Sequence, residues 1–234
     1  MEPFSAVFRF PPRTVSSPPM PYALMSSGGK DGTLALDRAL RRGLDIRFLA
    51  NIYEGSTGRV RFHGVRQELI ARQAAALGLE LVAAHTSPSA FEPVFLELLA
   101  TLKARGCSGI VFGNIHLSDV RAWYEARVRA AGFEHIEPLW GDPPIELVHE
   151  VVERGYRALI VSVDLKQGAA DFLGRELDAD MLTELSIADD LDPCGERGEY
   201  HTLVFEGPTL RQPVAFTPGP TVEIDGHRFL DLIP

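Results

Sequence analysis

The sequence predicts an α/β fold: a doubly wound, mainly parallel sheet with helices on both faces, plus a smaller C-terminal α+β lobe. Three observations predict it. Short apolar runs alternate with amphipathic segments from Tyr22 to about residue 163, a pattern that favours right-handed crossovers and parallel strands. Glycines follow several of the amphipathic segments, as expected of helix C-caps. After about residue 165 a loop rich in Gly and Glu and several short β-like pieces replace the alternation.

The strands and helices of the first region are predicted from the spacing of their apolar residues. Strands are predicted where short apolar runs are bounded by turn residues, at 22–26, 46–52, 79–84, 109–113, 135–139 and 156–163. Helices are predicted where apolar residues recur every three or four positions, at 30–42, 63–77, 91–105, 117–131 and 144–154. The first helix, for example, places Leu34, Ala39 and Leu40 roughly on one face and ends at Gly43.

The C-terminal lobe is predicted from weaker patterns. A helical stretch is expected at 175–188, and β-like pieces at 201–206, 213–216 and 221–231, the last with Asp225-Gly226 as a hairpin turn. These patterns divide the chain into a larger α/β domain, residues 21–165, and a smaller C-terminal lobe, residues 166–234. Residues 1–20 contain five prolines and no period, so they are interpreted as a flexible arm or an extension upstream of a start at Met20.

Composition limits the partners. The chain has 234 residues and a formal net charge of −9, which disfavours a broad basic surface and makes nucleic acid an unlikely partner. No apolar run approaches the roughly 20 residues of a membrane helix. Cys107 and Cys194 are too few for a disulfide framework or a four-cysteine zinc site. We therefore expect a cytoplasmic protein without membrane contacts; a homodimer is left open.

A glycine turn joins the first strand to the first helix. Glycines allow main-chain N–H groups to approach a ligand, and the helix N-terminus adds unsatisfied N–H groups with about half a positive charge. Lys30 is one of only three lysines. Phosphate binding is predicted here, although an ordinary strand–helix turn is the alternative. The spacings of P-loop NTPases and of dinucleotide-binding folds are both absent. The residues are Ser26, Ser27, Gly28, Gly29, Lys30, Asp31 and Gly32.

Two motifs carry a resemblance to a known family. SSGGKDG (26–32) resembles the SGGxDS pyrophosphate-binding loop of the N-type ATP pyrophosphatases, the PP-loop superfamily, which split ATP into AMP and pyrophosphate while adenylating a substrate. PCGERGEYHT (193–202) resembles a second motif, GEGGEYHT, and together they resemble the diphthine–ammonia ligase subfamily. FGNIHLSDVR (112–121) and PLW (138–140) also resemble that subfamily. The resemblance implies an adenine nucleotide alpha hydrolase-like fold and an AMP-forming ligase that adenylates a carboxylate and transfers it to ammonia.

The resemblance also implies roles for residues. ATP would lie on the 26–32 loop, where Lys30 stabilises the leaving pyrophosphate together with Mg²⁺. Asp31 is a candidate Mg²⁺ ligand, with helix capping as the alternative. By analogy of fold, adenosine would lie between the turn at Asn51 and Ile52 and the turn at Gly113 and Asn114.

Residues 194–202 are expected to form the substrate end. Glu196, Glu199, Tyr200 and Thr202 are predicted to bind substrate, and Glu199 or His201 to act as general base when ammonia attacks. A charged surface turn is the alternative. His63, which aligns with a histidine of the subfamily at a predicted helix start, is a further substrate-binding candidate or else a surface histidine.

One departure from the motif leaves alternatives open. Gly32 stands where the loop usually has Ser or Thr; Ser26, Ser27 or Thr33 would then supply the hydroxyl, or the protein would be a nucleotide-binding sensor or pseudo-enzyme. The acid is either protein-bound diphthine or, if three lysines against twenty arginines indicate a bacterium, a small cobalamin-related acid. A tRNA-thiolating relative is disfavoured by the net charge and the cysteine spacing.

Overall fold

The computed structural model describes residues 20–87, 89–188 and 190–234. The expected N-terminal arm therefore lies outside the described residues, apart from Met20. None of the helices in this described part is long and apolar enough to cross a membrane.

The first sheet confirms the predicted fold class. Its strands are β1 (Tyr22–Met25), β2 (Ile46–Glu54), β3 (Arg59–Val60), β4 (Glu80–Thr86), β5 (Gly109–Val111) and β6 (Glu134–Ile136). β4, β2, β1, β5 and β6 lie side by side and pair in parallel, whereas the short β3 pairs antiparallel with the end of β2. The chain leaves β1 first toward β2 and later toward β5, so the strand order reverses at β1, and such a reversal opens a crevice at the carboxyl ends of the strands.

Five helices connect or follow these strands. They are α1 (Lys30–Arg41), α2 (Gln67–Leu77), α3 (Phe91–Ala104), α4 (Ser118–Ala130) and α5 (Pro144–Glu153). Apolar side chains of the helices fill both faces of the sheet: Leu34 belongs to one buried cluster and Phe95 to another. The helix predicted from His63 begins only at Gln67, because residues 59–66 instead form β3 and a turn in which Gly64 has a φ of 69°.

The second sheet is antiparallel, in the order β8-β7-β10-β9. It contains β7 (Arg157–Asp164), β8 (Tyr200–Glu206), β9 (Thr217–Ile224) and β10 (His227–Ile233). Residues 156–163 were expected to end the parallel series, but β7 is a central strand of this second sheet. A continuous apolar run indicates burial on both faces and does not distinguish a parallel from an antiparallel neighbour.

The C-terminal lobe differs from its expectation in three more places. A 3-10 helix (Ala170–Phe172) precedes α6 (Ala179–Ile187), which is shorter than expected because Asp178 caps it, accepting from Met181 N–H at 2.9 Å. The expected β-like piece at 213–216 lies just before β9 rather than in a strand. The expected hairpin is present: Asp225 (φ 53°) and Gly226 (φ 84°) join β9 to β10, the two positive φ angles that a two-residue hairpin turn prefers.

The two sheets meet at the glycine turn after β1. Gly28 O accepts from the main-chain N–H of Val204 at 3.0 Å and from Nε2 of the buried Gln73 at 2.9 Å. Gln73 Nε2 also donates to Val204 O at 2.7 Å. These bonds attach β8 to the turn, so the C-terminal lobe forms one side of the crevice.

Candidate functional site

A cavity of about 430 Å³ opens at the carboxyl ends of β1, β2 and β5 and is closed on the other side by the segment leading into β8. Most of the residues singled out from the sequence line it. They are Ser26, Ser27, Gly29, Lys30, Asp31, Gly32, Asn51, His63, Gly113, Asn114, Glu196, Tyr200, His201 and Thr202. Gly28 and Glu199 are not part of the wall.

The glycine turn has the geometry of an anion site. Gly28 has a φ of 90°, and a Cβ there would lie 2.6 Å from Ile70 Cδ1, so only glycine fits. Among the described residues, no acceptor is paired with the main-chain N–H groups of Gly29, Asp31 and Gly32. Unpaired amides at a helix N-terminus favour a phosphate group.

Lys30 is buried beside this turn, with 2% of its surface exposed. Its ammonium donates to Asp31 Oδ2 at 2.9 Å and to Cys194 O, and lies 5.0 Å from the centre of the Tyr200 ring. Burial alone would lower the pKa of Lys30, but attraction to Asp31 outweighs it and the pKa is raised. The lysine therefore carries its positive charge at neutral pH.

Thr202 joins the second motif to the first. Its Oγ1 accepts from the Lys30 main-chain N–H at 3.0 Å, so the segment before and within β8 contacts the first residue of α1. The two sequence motifs, about 170 positions apart along the chain, therefore share one cavity wall.

The absence of a side chain at Gly32 has a local cause. A Cβ on Gly32 would overlap Ser26 Oγ and lie 3.1 Å from Ser26 Cβ. Of the three hydroxyls considered as substitutes, Thr33 Oγ1 donates to Gly29 O within the helix and Ser27 Oγ is paired with His63. The Ser26 hydroxyl is the one that lies beside Gly32 on the cavity wall.

The turn after β5 packs directly on α1. A Cβ on Gly113 would lie 2.7 Å from Asp31 C and 2.8 Å from Gly32 N. On the opposite side Asn51 Nδ2 donates to Ser26 O at 2.6 Å, while its buried Oδ1 has no partner among the described residues. An unpaired buried acceptor on a cavity wall is available to a ligand donor.

Two neutral histidines line the side of the cavity near β3. His63 Nε2 lies 2.7 Å from Ser27 Oγ, and the His63 ring stacks on His201 with 4.3 Å between centroids. Burial, with a contribution from the Lys30 charge, lowers the pKa of His63 to about 4. Burial and the neighbouring His63 lower the pKa of His201 well below its ordinary value. Both imidazoles are therefore uncharged at neutral pH.

The two glutamates of the second motif have different surroundings. Glu196 lines the cavity, but its carboxylate accepts from the main-chain N–H groups of Ile115 and His116 at 2.7 and 2.9 Å. Glu199 is 1% exposed, and its Oε1 accepts from Asp192 N–H at 3.0 Å, behind the wall. Both side chains thus hold the loop that leads into β8.

One carboxylate and one cluster of three side chains have donor atoms suited to a metal ion. Asp31 faces the phosphate site with 32% of its side chain exposed. His116, Asp192 and Glu196 place three donor atoms within 4.8 Å of one another. In this cluster, however, the His116 Nε2 to Asp192 Oδ2 contact of 2.5 Å and the amides on Glu196 already account for the arrangement.

Sequence reasoning missed the remaining wall residues. One end of the cavity is apolar and aromatic, and the mouth near β3 carries a cation beside an aromatic ring. Apolar residues at strand ends are indistinguishable from core residues by pattern, so only the glycines beside them gave a signal. The missed residues are Met25, Val60, Arg61, Phe62, Phe91, Phe112 and Tyr124, whereas Ile52, Cys194 and Gly195 line the cavity within segments that the sequence assigned to the site.

Comparison with known proteins agrees with the two motifs. Residues 20–135 match the family model of the diphthamide synthase N-terminal domain, and residues 143–223 match that of the diphthamide synthase C-terminal domain. The chain belongs to the diphthamide synthase family of PP-loop proteins. The N-terminal match ends within β6 and the C-terminal match begins before α5, so the family's C-terminal domain includes the strand β7 that forms the second sheet.

One relative is named for its enzymatic activity. The diphthine–ammonia ligase of Schizosaccharomyces pombe is 31% identical to this member of the family over 113 residues, which are 47% of this chain and 19% of that protein. The chain thus matches about a fifth of the length of this curated relative.

Proposed function

We propose that the protein is an ATP-dependent ligase that adenylates a carboxylate, releasing pyrophosphate, and then transfers the acyl group to ammonia, releasing AMP. The S. pombe relative is called a diphthine–ammonia ligase. One observation carries the proposal: both motifs meet in a single cavity, where Thr202 accepts from the first amide of α1 at 3.0 Å. A site with phosphate donors on one side and proton acceptors on the other suits adenylation followed by amide formation.

The proposed phosphate-binding groups lie at the N-terminus of α1. The main-chain amides of Gly29, Asp31 and Gly32 and the charge of Lys30 would bind the β- and γ-phosphates and stabilise the negative charge that grows on the leaving pyrophosphate. The Ser26 hydroxyl adds a donor beside Gly32. Adenine would enter the apolar end formed by Phe91, Phe112 and other residues.

Asp31 fits a magnesium site. Mg²⁺ is usually held by one or two carboxylates together with substrate phosphates and water, and Asp31 presents a partly exposed carboxylate at the phosphate site. When bound there, Mg²⁺ would neutralise phosphate charge.

The second half-reaction requires a proton acceptor. Ammonia attacks the carbonyl carbon of the acyl-adenylate, the bond to the AMP oxygen breaks, and the nitrogen loses one proton. His201 is neutral, lies on the wall and stacks on His63, so we assign the proton to His201. Glu199, behind the wall, would position the loop rather than contact the substrate.

The proposal is tested by product analysis. ATP, Mg²⁺ and ammonium are incubated with the protein and either elongation factor 2 bearing diphthine or a panel of small acids, and AMP and pyrophosphate are measured. We expect equal amounts of both products and an amide on one acid. Binding of ATP without pyrophosphate release from any acid would instead indicate a nucleotide sensor. Absence of adenine nucleotide binding at millimolar concentration would reject both functions.

A further inference from the structure

The turn between β3 and α2 holds an unusual backbone conformation at the mouth of the cavity. Phe62 has a φ of 64° and is 57% exposed. A bulky side chain in the left-handed region is an outlier, and such strain persists only where surrounding contacts impose it. Backbone strain of this kind tends to occur at ligand-binding sites.

The strained turn is held from both ends. Gly64 N–H donates to Val60 O at 2.9 Å and closes the turn. Asp231, on β10 of the second sheet, accepts from Arg59 at 2.8 Å and from Arg66 at 2.6 Å. These two guanidinium groups lower the pKa of Asp231, although burial opposes them. The turn is therefore a rigid element.

The turn presents a guanidinium and a row of flat rings. The guanidinium carbon of Arg61 lies 4.8 Å from the centre of the Phe62 ring. Phe62 stacks on His201 at 6.5 Å, and His201 on His63 at 4.3 Å. His63 contacts Ser27 of the phosphate loop. A ligand lying along this row would extend from the mouth to the phosphate site.

Among the charged side chains that line the mouth of the cavity, Arg61 is the one that can pair with an anionic ligand. Of the described lining residues, only Lys30 and Arg61 carry a permanent positive charge, and Lys30 is paired with Asp31. Arg61 has no acidic partner within 4 Å among the described residues, and the adjoining histidines are neutral. An anion entering the mouth would therefore meet Arg61 first.

We propose that Arg61 and Phe62 form the encounter site at which the acid substrate docks before adenylation: the guanidinium pairs with the entering carboxylate, and the Phe62 and His201 rings receive a planar or apolar body. This rests on the proposed function. The nucleotide is a poorer candidate for this end, because amides and Lys30 serve its phosphates and the aromatic end of the cavity suits its base. Charged pairs of this kind discriminate strongly between a carboxylate and its neutral amide.

The experiment compares an acid with its amide. Binding of 3-phenylpropionate and of 3-phenylpropanamide is measured by calorimetry or ligand-observed NMR in the presence of a non-hydrolysable ATP analogue. We expect the acid to bind at least about tenfold more tightly than the amide. Arg61→Gln should abolish this preference. Arg42→Gln, at the exposed C-terminal end of α1, is the matched control and should retain it.

A second variant tests the strain. Phe62→Gly relieves the positive φ, so we expect a higher melting temperature together with weaker binding of the acid. A residue that serves only the fold would show the opposite, a lower melting temperature and unchanged binding of the acid, and that result would overturn the assignment.

The outcomes separate this inference from the proposed function. If the ATP analogue binds but the wild type does not prefer the acid at millimolar concentration, or Arg61→Gln retains the preference, only the docking site is wrong. If Arg61→Gln weakens the ATP analogue instead, Arg61 belongs to the nucleotide site and the inference is overturned. If the analogue does not bind the wild type at all, the proposed function itself fails.

Discussion

Replacing Lys30 by Met tests the phosphate site most directly. Met keeps the length of the apolar stem but removes the ammonium that bridges Asp31 and Cys194 O. Removing one partner of a buried ion pair costs about 3–5 kcal/mol. Because 32% of the Asp31 side chain is exposed, water screens the charge left behind, and we expect a loss of about 2–3 kcal/mol in the free energy of unfolding.

The loss of stability and the loss of activity are measured separately. For a chain of this size each kcal/mol corresponds to about 2–4 °C, so differential scanning fluorimetry should show a melting temperature about 4–12 °C lower. Pyrophosphate release should fall by about 10²–10³, the usual effect of removing one group that stabilises transition-state charge. Lys166→Met, an exposed lysine in the C-terminal lobe, is the control and should change neither quantity.

A double variant tests the stability account. Lys30→Met combined with Asp31→Asn removes the orphaned carboxylate, so most of the lost stability should return, whereas turnover is judged in the single variant because Asp31 is itself the proposed Mg²⁺ ligand. Turnover within about tenfold of wild type in the single variant would refute the role of Lys30, since loss of a charged contact should cost more. Recovery of turnover in the double variant would show that the single variant acted only through stability.

Three further predictions concern the same cavity. Gly113→Ala places a Cβ 2.7 Å from the α1 main chain and should cost about 1–3 kcal/mol in chemical unfolding and weaken ATP binding. Gly32→Ser should weaken ATP binding because its Cβ meets Ser26, and adding Ser26→Gly should restore it; no rescue would contradict the steric account. The lowered pKa of His63 means that the unfolded state binds a proton first, so stability should fall as pH decreases from 6.5 to about 4. In urea titrations His63→Gln should lose less stability over this window, and equal slopes would argue against a buried neutral imidazole.

Much of the fold could be predicted because its signals are local. Alternating apolar runs and amphipathic helices identified the parallel sheet, and Asp225-Gly226 identified the β9–β10 hairpin. The sequence predicted that β7 ends the parallel sheet, whereas β7 lies in the antiparallel sheet. Strands of both kinds of sheet can be buried on both faces, so the apolar run did not distinguish them. The start of α2 was placed four residues early, since Arg59 and Arg66 are tied to Asp231, 165 positions or more away.

The candidate site, like the fold, could be predicted from the sequence only in part. Residues inside the two motifs line one cavity, but Glu199 lies behind its wall because its carboxylate is used by Asp192 N–H. Arg61 and Phe62 carry no sequence signal, because the strain at Phe62 depends on long-range contacts.

The sequence by itself determined the family, the fold class and the glycine turn, because each depends on residues that are neighbours along the chain or share a helix face. Only the tertiary structure decided that the turn and the β8 segment share a wall, that Ser26 occupies the space beside Gly32, and that Arg61 lines the cavity with no acidic partner among the residues the structure describes. Those facts depend on distances between atoms far apart in the chain, which packing sets and local pattern does not encode.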